Sequence, residues 1–138
     1  MRAYRMAPRL LLSVMLTAPL GCSVHSKVTP SHGASFVPSH NEPVCFLSGT
    51  LPSEFRYTVL GTVSATKRSY GSSSQLAKSV ADEARGTGAD AVINYIAGQR
   101  FKGPLPWRVT APTAQGTLVK IEEGSPTLDC GSLGGELH

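Results

Sequence analysis

The histidines are the first residues to weigh for chemistry, because a nucleophilic serine or cysteine needs a nearby base. Three of them lie in a serine- and proline-rich stretch near the amino end, and the fourth is the last residue: His25, His32, His40 and His138. Neither place shows the hydrophobic period of a helix or strand, so we expect no histidine in the folded part. A Ser-His or Cys-His catalytic site is therefore not predicted. The first three histidines also lack the spacing of a preorganised metal site, and we interpret them as solvated.

Carboxylates and glycines also fail to form a recognisable site. Two acidic pairs occur, Asp82-Glu83 and Glu122-Glu123, but neighbouring side chains diverge on a helix or strand. Gly86-Thr87-Gly88 follows a predicted helix, so it ends that helix and offers no helix amino terminus to a phosphate. No Cys-x-x-Cys or His-x-x-x-His spacing is present. We therefore predict a protein that is not an enzyme and that holds neither a cofactor nor a metal ion.

The amino-terminal residues predict a destination. Residues 1–21 combine a basic head, an apolar run from Leu10 to Leu20 and a final glycine, which is the layout of a secretory signal peptide. This eleven-residue run gives about 16 Å of helix, about half of a bilayer core, so cleavage is favoured over a stable span. Leu20-Gly21-Cys22 resembles the end of a bacterial lipobox, and this resemblance implies acylation of Cys22 as the first mature residue. The alternative is an ordinary secreted, periplasmic protein in which Cys22 is incidental.

Residues 22–43 are interpreted as the lipid anchor followed by a tether. The stretch Ser23–Pro43 contains five serines, three prolines and three histidines without a hydrophobic period, which is typical of a flexible linker. The formal net charge is +4, but from Cys22 onward ten cationic residues face nine acidic ones. A nucleic-acid-binding protein would keep its basic excess in the folded part, so no nucleic-acid partner is predicted.

Residues 44–123 carry the pattern of one small α/β domain. Strand patterns occur in four segments: Val44–Leu47, Tyr57–Thr66, Ala89–Ala97 and Thr113–Glu122. Apolar residues at helical spacing predict one main helix before the third strand: Leu76, Ala77, Val80, Ala81 and Ala84. Strand, helix and strand in this order predict a βαβ unit within a sheet of about four strands. Residues 124–138 are glycine-rich and are predicted to form an irregular tail.

The second strand alternates polar and apolar residues. Its pattern places Tyr57, Val59, Val63 and Ala65 on one face, and Gly61 marks a bulge or a close approach of another backbone.

Cys45 and Cys130 remain once Cys22 is acylated, and in an oxidising compartment two cysteines pair by default. Their disulfide would attach the tail to the first strand of the domain. The alternative is a buried Cys45 and a free thiol at Cys130.

The segment Gly98–Pro112 is predicted to be a loop that contacts a partner or a membrane. It combines aromatic residues and cations, Lys102 among them, with three prolines, and the contact candidates are Arg100, Phe101, Trp107 and Arg108. Aromatic and arginine side chains bury much area at low entropic cost in interfaces. The alternative is that Phe101 and Trp107 cover the sheet edge while the cations reach to water.

Four short motifs carry a resemblance to a known family: Val44-Cys45-Phe46-Leu47, Leu60-Gly61-Thr62-Val63, Gly88-Ala89-Asp90-Ala91-Val92 and Ala114-Gln115-Gly116-Thr117-Leu118-Val119. In this order the chain resembles the outer-membrane stress-sensor lipoproteins of the Rcs phosphorelay, over residues 43–122. It is also similar to the small α/β proteins grouped as heavy-metal-binding domains. The sensor family carries two disulfides in its folded domain, whereas this chain has only Cys45 and Cys130 available.

The resemblance implies a non-enzymatic lipoprotein of the bacterial envelope. It would be anchored in the outer membrane through Cys22, face the periplasm, and act in envelope-stress sensing by binding a protein partner. Ser23 after the acylated cysteine favours the outer membrane by resemblance to bacterial sorting signals. The alternative from a different functional class is a periplasmic metal-binding or small-ligand-binding protein.

Replacement of Cys22 by serine tests the anchor directly. Serine has no thiol to acylate, so we expect Cys22→Ser to lose incorporation of labelled palmitate completely, while Cys45→Ser and Cys130→Ser retain it. Label that persists on Cys22→Ser would contradict the lipoprotein assignment.

Overall fold

Six strands and one helix make up the part of the chain described by the structure, a computed structural model that covers residues 24–68, 71–106 and 108–138. The elements are β1 (Val24–Pro30), β2 (Cys45–Phe46), β3 (Tyr57–Lys67), α1 (Ser73–Thr87), β4 (Ala91–Lys102), β5 (Val109–Ile121) and β6 (Glu136–Leu137). All six strands join one mixed sheet in the order β1-β3-β5-β4-β2-β6. The predicted α+β class is therefore correct, but the sheet has six strands where the sequence predicted about four. The predicted signal peptide, Cys22 and Trp107 lie outside the described residues.

The predicted βαβ unit is present in a split form. β3 and β4 run in the same direction and flank α1 in sequence, but β5 lies between them and is antiparallel to both. A second parallel contact joins β2 to β4 at Cys45↔Ala91 and Phe46↔Val92.

The helix forms and packs as its spacing predicts. Its apolar stripe is buried against one face of the sheet: Leu76, Ala77, Val80, Ala81 and Ala84. Of the six buried residues of the helix, four are alanine or valine, which lets the helix lie close to the strands. The helix passes through Gly86 and ends at Gly88, whose φ of 78° is the left-handed conformation that glycine adopts without strain.

A bulge interrupts β3 at the predicted place and changes the face assignment that follows from simple alternation. Val59 pairs with Val119 and Gly61 pairs with Leu118, so Leu60 is the extra residue. Tyr57 packs in the core on one side of the sheet, whereas Leu60, Val63 and Ala65 pack beneath α1 on the other. The prediction that Tyr57, Val59, Val63 and Ala65 share a face is therefore wrong.

The predicted flexible tether is wrong for residues 24–43, which are part of the domain. Residues 24–30 form edge strand β1, paired with β3 along its whole length from Val24↔Lys67 to Pro30↔Gly61. The following segment is held by Ser31 N–H donating to the Leu60 carbonyl at 2.9 Å and by Val37 against the helix-side core. A Cβ on Gly88 would lie 2.6 Å from Val37 Cγ2, so the segment and the helix end are in close contact. A serine-rich sequence is ordered here because β3 satisfies its backbone hydrogen bonds.

The predicted irregular tail is also wrong as a description of the last residues. β6 pairs with β2 through Cys45↔Leu137 and Phe46↔Glu136, and Val44 and His138 exchange backbone hydrogen bonds of 2.9 and 3.1 Å. Gly135 packs so closely that a Cβ would lie 2.6 Å from Cys130 Sγ. Sequence pattern missed this because the strand has only two residues.

A disulfide joins Cys45 to Cys130, as predicted. The sulfurs lie 2.07 Å apart, the Cα atoms 5.6 Å apart, and the bridge spans 85 residues of sequence. Both cysteines are buried, and they pack with Leu47, Val119 and their neighbours in the core on the face opposite the helix. The bridge therefore fixes the C-terminal segment on β2.

In residues 24–68, 71–106 and 108–138, no helix has both the length and the apolar character needed to cross a bilayer.

Reduction of the disulfide should destabilise the domain. A loop of this size contributes about 4 kcal/mol in the chain-entropy model, so we expect reductant to lower the free energy of unfolding by about 2–4 kcal/mol. Urea denaturation with and without dithiothreitol measures the change, and Cys45→Ala/Cys130→Ala, which has no bridge to lose, is the control. An unchanged urea midpoint in the wild-type protein after reduction would contradict the expectation.

Candidate functional site

The predicted contact loop, Gly98–Pro112, is a β-hairpin, which we call the hairpin arm. β4 continues to Lys102 and β5 begins at Val109, with pairs from Gly98↔Thr113 to Lys102↔Val109. Cross-strand pairing therefore replaces the loop that the prolines suggested. Pro112 is tolerated because the β3 pairings end at Thr66↔Thr113, so its missing N–H is not needed on that side.

The hairpin arm brings three of the four predicted contact candidates together at one end of the sheet. Arg100 and Phe101 lie on β4, with Arg108 just before β5, and all three are exposed. Because side chains alternate along a strand, Arg100 and Lys102 share one face of the arm and Phe101 lies on the other. Trp107, the fourth candidate and the only tryptophan of the chain, lies outside the described residues.

Apolar exposure on the hairpin arm increases towards its tip. The exposed fraction is 38% for Val109, 64% for Phe101 and 75% for Leu105. The alternative that Phe101 covers the sheet edge is therefore wrong. Phe101 lies on one face of the arm, whereas Val109, which pairs with Lys102, lies on the other, so both faces expose an apolar side chain.

The hairpin arm also lacks negative charge. No aspartate or glutamate occurs between Asp90 and Glu122, whereas four cations do: Arg100, Lys102, Arg108 and Lys120. Lys120 is bound to Asp90 at 2.7 Å, away from the tip. Among the described residues, the other three cations form no salt bridge. The tip is thus both apolar and cationic.

A second exposed surface lies on the sheet face opposite α1, next to the hairpin arm. Its rows of paired residues cross four strands, and two of them are Lys27-Ser64-Gln115-Ile96 and His25-Thr66-Thr113-Gly98. We call the exposed side chains at its centre the open face: Lys27, Thr29, Thr62, Ser64, Ile96 and Gln115. Grooves over these residues are lined by hydroxyl and amide groups and by Ile96. A half-polar β-surface that no other described segment covers is suited to flat contacts.

The rest of this sheet face is covered. The segment between β2 and β3 supplies Leu51 and Phe55, and the segment after β5 supplies Leu128 and Leu133. These side chains pack with Ile93, Val119 and the disulfide. Among the described residues, none covers the half of this face towards the hairpin arm.

The histidines do not lie where sequence reasoning put them. His40 and His138 belong to the folded part, so the expectation of a histidine-free domain is wrong. His40 Nε2 lies 2.8 Å from the Ala89 carbonyl, and its Nδ1 accepts from the Glu42 backbone N–H at 3.2 Å. The His138 ring packs on Phe46 with centroids 4.6 Å apart. The sequence did not indicate that His138 belongs to the domain, because the two-residue strand β6, which pairs with β2, shows no recognisable pattern.

One groove gathers Ser73, Ser74, Tyr95, Glu136 and His138. These residue types could form a nucleophile, base and orienting acid, but the distances do not support that use. His138 Nε2 lies 3.6 Å from Glu136 Oε2, and the Ser74 hydroxyl bonds to Ser72 at 2.7 Å. No serine hydroxyl in the described part of the chain bonds to a histidine ring.

Several carboxylates form hydrogen bonds or ion pairs with other residues of the domain. Asp82 pairs with Arg85 at 2.6 Å, and Glu83 accepts a 2.5 Å hydrogen bond from Ser26 on β1. Asp90 binds Lys120 Nζ at 2.7 Å and the Ile121 N–H at 2.8 Å. Glu122 accepts from Thr58 at 3.0 Å. Within the described ranges, no three His, Cys, Asp or Glu residues are grouped to hold a metal ion.

Tyr95 has an unusual environment. Its hydroxyl is buried without a hydrogen-bond partner among the described residues, and its ring packs on Phe46 with centroids 4.7 Å apart. Burial and then the negative charge of Glu136 raise the pKa of Tyr95 above its ordinary value of 10.0.

Tyr95→Phe should therefore change stability in a pH-dependent way. Removal of the unpaired hydroxyl is expected to raise the free energy of unfolding by about 1 kcal/mol at neutral pH. Since the folded state holds the Tyr95 proton more tightly than the unfolded state, wild-type stability falls as pH rises above 10.0. Urea denaturation below and above that pH should show an advantage of Tyr95→Phe that grows with pH. Tyr57→Phe is the control, and an advantage that shrinks would contradict the expectation.

No protein-family model, curated protein or solved structure matches the chain. The resemblance to envelope stress-sensor lipoproteins therefore stays a prediction based on the motifs themselves.

Proposed function

We propose that this protein is a non-enzymatic lipoprotein of the bacterial envelope that acts by binding a protein partner. It is anchored through acylated Cys22, in the outer membrane on the periplasmic side, and it works in envelope-stress signalling of the Rcs type. The observation that carries the proposal is the pair of exposed surfaces, the open face and the hairpin arm.

The open face is the proposed binding surface for the protein partner. It presents the exposed hydroxyl groups of Thr29, Thr62 and Ser64 beside the Gln115 amide and the apolar side chain of Ile96, which is 60% exposed. Such a mixture gives hydrogen bonds around a small apolar centre, as transient protein interfaces do. No described strand pairs with the outer edge of β1, which borders the open face and offers backbone groups to an extended segment of a partner.

The absence of a catalytic role is part of the same proposal. His40 is engaged by Ala89 and Glu42, and Asp90 by Lys120 and Ile121, so neither is available to a substrate. General acid-base catalysis needs a titratable group within hydrogen-bond reach of a reacting proton.

Metal or small-ligand binding is the alternative function. The purified wild-type protein analysed for metal content separates the two, because a stoichiometric metal would favour the alternative. A deletion strain carrying an envelope-stress reporter tests the signalling part, with Cys22→Ser and wild-type complementation compared.

Site-specific photo-crosslinking tests the partner surface. We expect a benzophenone amino acid at Ser64 or at Gln115 to give one discrete protein adduct in cells, because both side chains lie in the centre of the open face. The same residue at Lys78 on α1 or at Glu54, which are exposed elsewhere, should give at least about tenfold less of that adduct, as expected when a contact is confined to one patch. Equal adduct yields at all four positions, or none at the open face, would overturn the assignment of this surface.

A further inference from the structure

We infer that the tip of the hairpin arm, whose described residues are 101–106 and 108–109, docks on an anionic phospholipid bilayer. This inference deepens the proposed function and rests on it for one point, the anchoring of Cys22 in the same bilayer. It leaves the open face, and not the tip, for the protein partner.

The hairpin arm projects from the end of the sheet at which β1 begins. Val24, where β1 begins, pairs with Lys67, and the adjacent row runs from Thr66 through Thr113 to Gly98. β1 thus begins at the end of the sheet from which the hairpin arm projects. Four further pairs, from Gln99↔Pro112 to Lys102↔Val109, extend the arm beyond Gly98. The arm therefore reaches about 10 Å past Val24.

An acylated Cys22 would lie close to the beginning of β1. Cys22 precedes Val24 by two residues, so its Cα can lie at most about 7 Å from that of Val24. Because residues 24–43 belong to the domain, no long tether separates an acylated Cys22 from the sheet. An acylated Cys22 would therefore hold the bilayer surface close to Val24, at the end of the sheet from which the tip projects.

The exposed side chains at the tip and beside it are apolar or cationic. Phe101, Leu105 and Val109 are the apolar side chains of the tip, and their exposure is greatest at the point farthest from the sheet. Arg100, Lys102 and Arg108 flank them, and no acidic residue lies between Asp90 and Glu122. Apolar groups that enter the interface, with cations beside anionic head groups, are the requirements for surface binding to such a membrane.

The two exposed surfaces differ in a way that favours a bilayer at the tip. The open face is broad and offers hydroxyl and amide groups in fixed rows, which a protein partner can match one by one. The tip is narrow and offers apolar groups and positive charge without carboxylates, which a fluid anionic surface matches without fixed geometry.

The experiment uses Trp107, the only tryptophan of the chain, as the reporter. The mature chain from residue 22 with Cys22→Ser, which carries neither the leader nor a lipid anchor, is mixed with vesicles of phosphatidylcholine alone or with added phosphatidylglycerol. We expect blue-shifted emission, and quenching by brominated acyl chains, only with the anionic vesicles. An unchanged emission with both vesicle types would overturn the inference, as would equal quenching with both.

Matched variants in the same background separate the tip from general charge and hydrophobicity. Arg100→Glu/Lys102→Glu should weaken binding to anionic vesicles at least about thirtyfold, whereas Arg56→Glu/Lys78→Glu, with the same change in net charge, should retain it. Phe101→Ser/Leu105→Ser should abolish quenching, whereas Phe36→Ser/Leu137→Ser, which removes two apolar groups exposed elsewhere, should not. Equal effects of test and control pairs would overturn the inference.

The failure of this inference is distinct from the failure of the anchor. Labelled palmitate on Cys22 together with no quenching would leave the lipoprotein assignment intact and reject the tip as a membrane contact. A benzophenone amino acid at Leu105 that captures a protein in cells, with no quenching by vesicles, would reassign the tip to a protein partner and overturn the inference.

Discussion

The fold depends on the pairing of one central strand, β5, with neighbours on both sides. β5 is antiparallel to β3 and to β4, and its successive residues Leu118 and Val119 are fully buried in two different cores. Leu118 lies beneath α1, and Val119 lies with the disulfide and the covering segments of the opposite face. A strand that is buried on both faces and paired on both edges has no alternative register, because a shift by one residue would exchange the two cores.

The two faces of this sheet are covered to different extents, and the proposed function uses the face that is covered less. α1 covers one face with a narrow alanine-rich stripe, whereas the other face is covered only where Leu51, Phe55, Leu128 and Leu133 reach it. The disulfide fixes the C-terminal segment in that position. The uncovered half of the face, with Ser64 and Gln115 at its centre, is the surface proposed for a protein partner.

The arrangement of the chain ends gives the proposals one common geometry. β1 is an edge strand that starts near the base of the hairpin arm, so an anchor at Cys22 would orient the whole sheet relative to a bilayer. The tip would then meet lipid while the open face stays directed along the membrane surface, accessible to a neighbouring protein. A short attachment and a second contact restrict rotation more than a long flexible linker would, which favours binding in a fixed orientation.

The sequence by itself determined the elements whose residues carry a regular period, together with the disulfide. The stripe of α1, the four central strands, the bulge at Leu60 and Gly61, and the Cys45–Cys130 pair all follow from local patterns or from the number of available thiols. The acylation of Cys22 and the role of Trp107 in a contact remain predictions from sequence alone. Only the tertiary structure decided the roles of β1, β6 and the hairpin arm. Their residues are serine-rich, too few or proline-containing, so local preference is weak, and backbone hydrogen bonds from β3, β2 and the opposite arm strand order them.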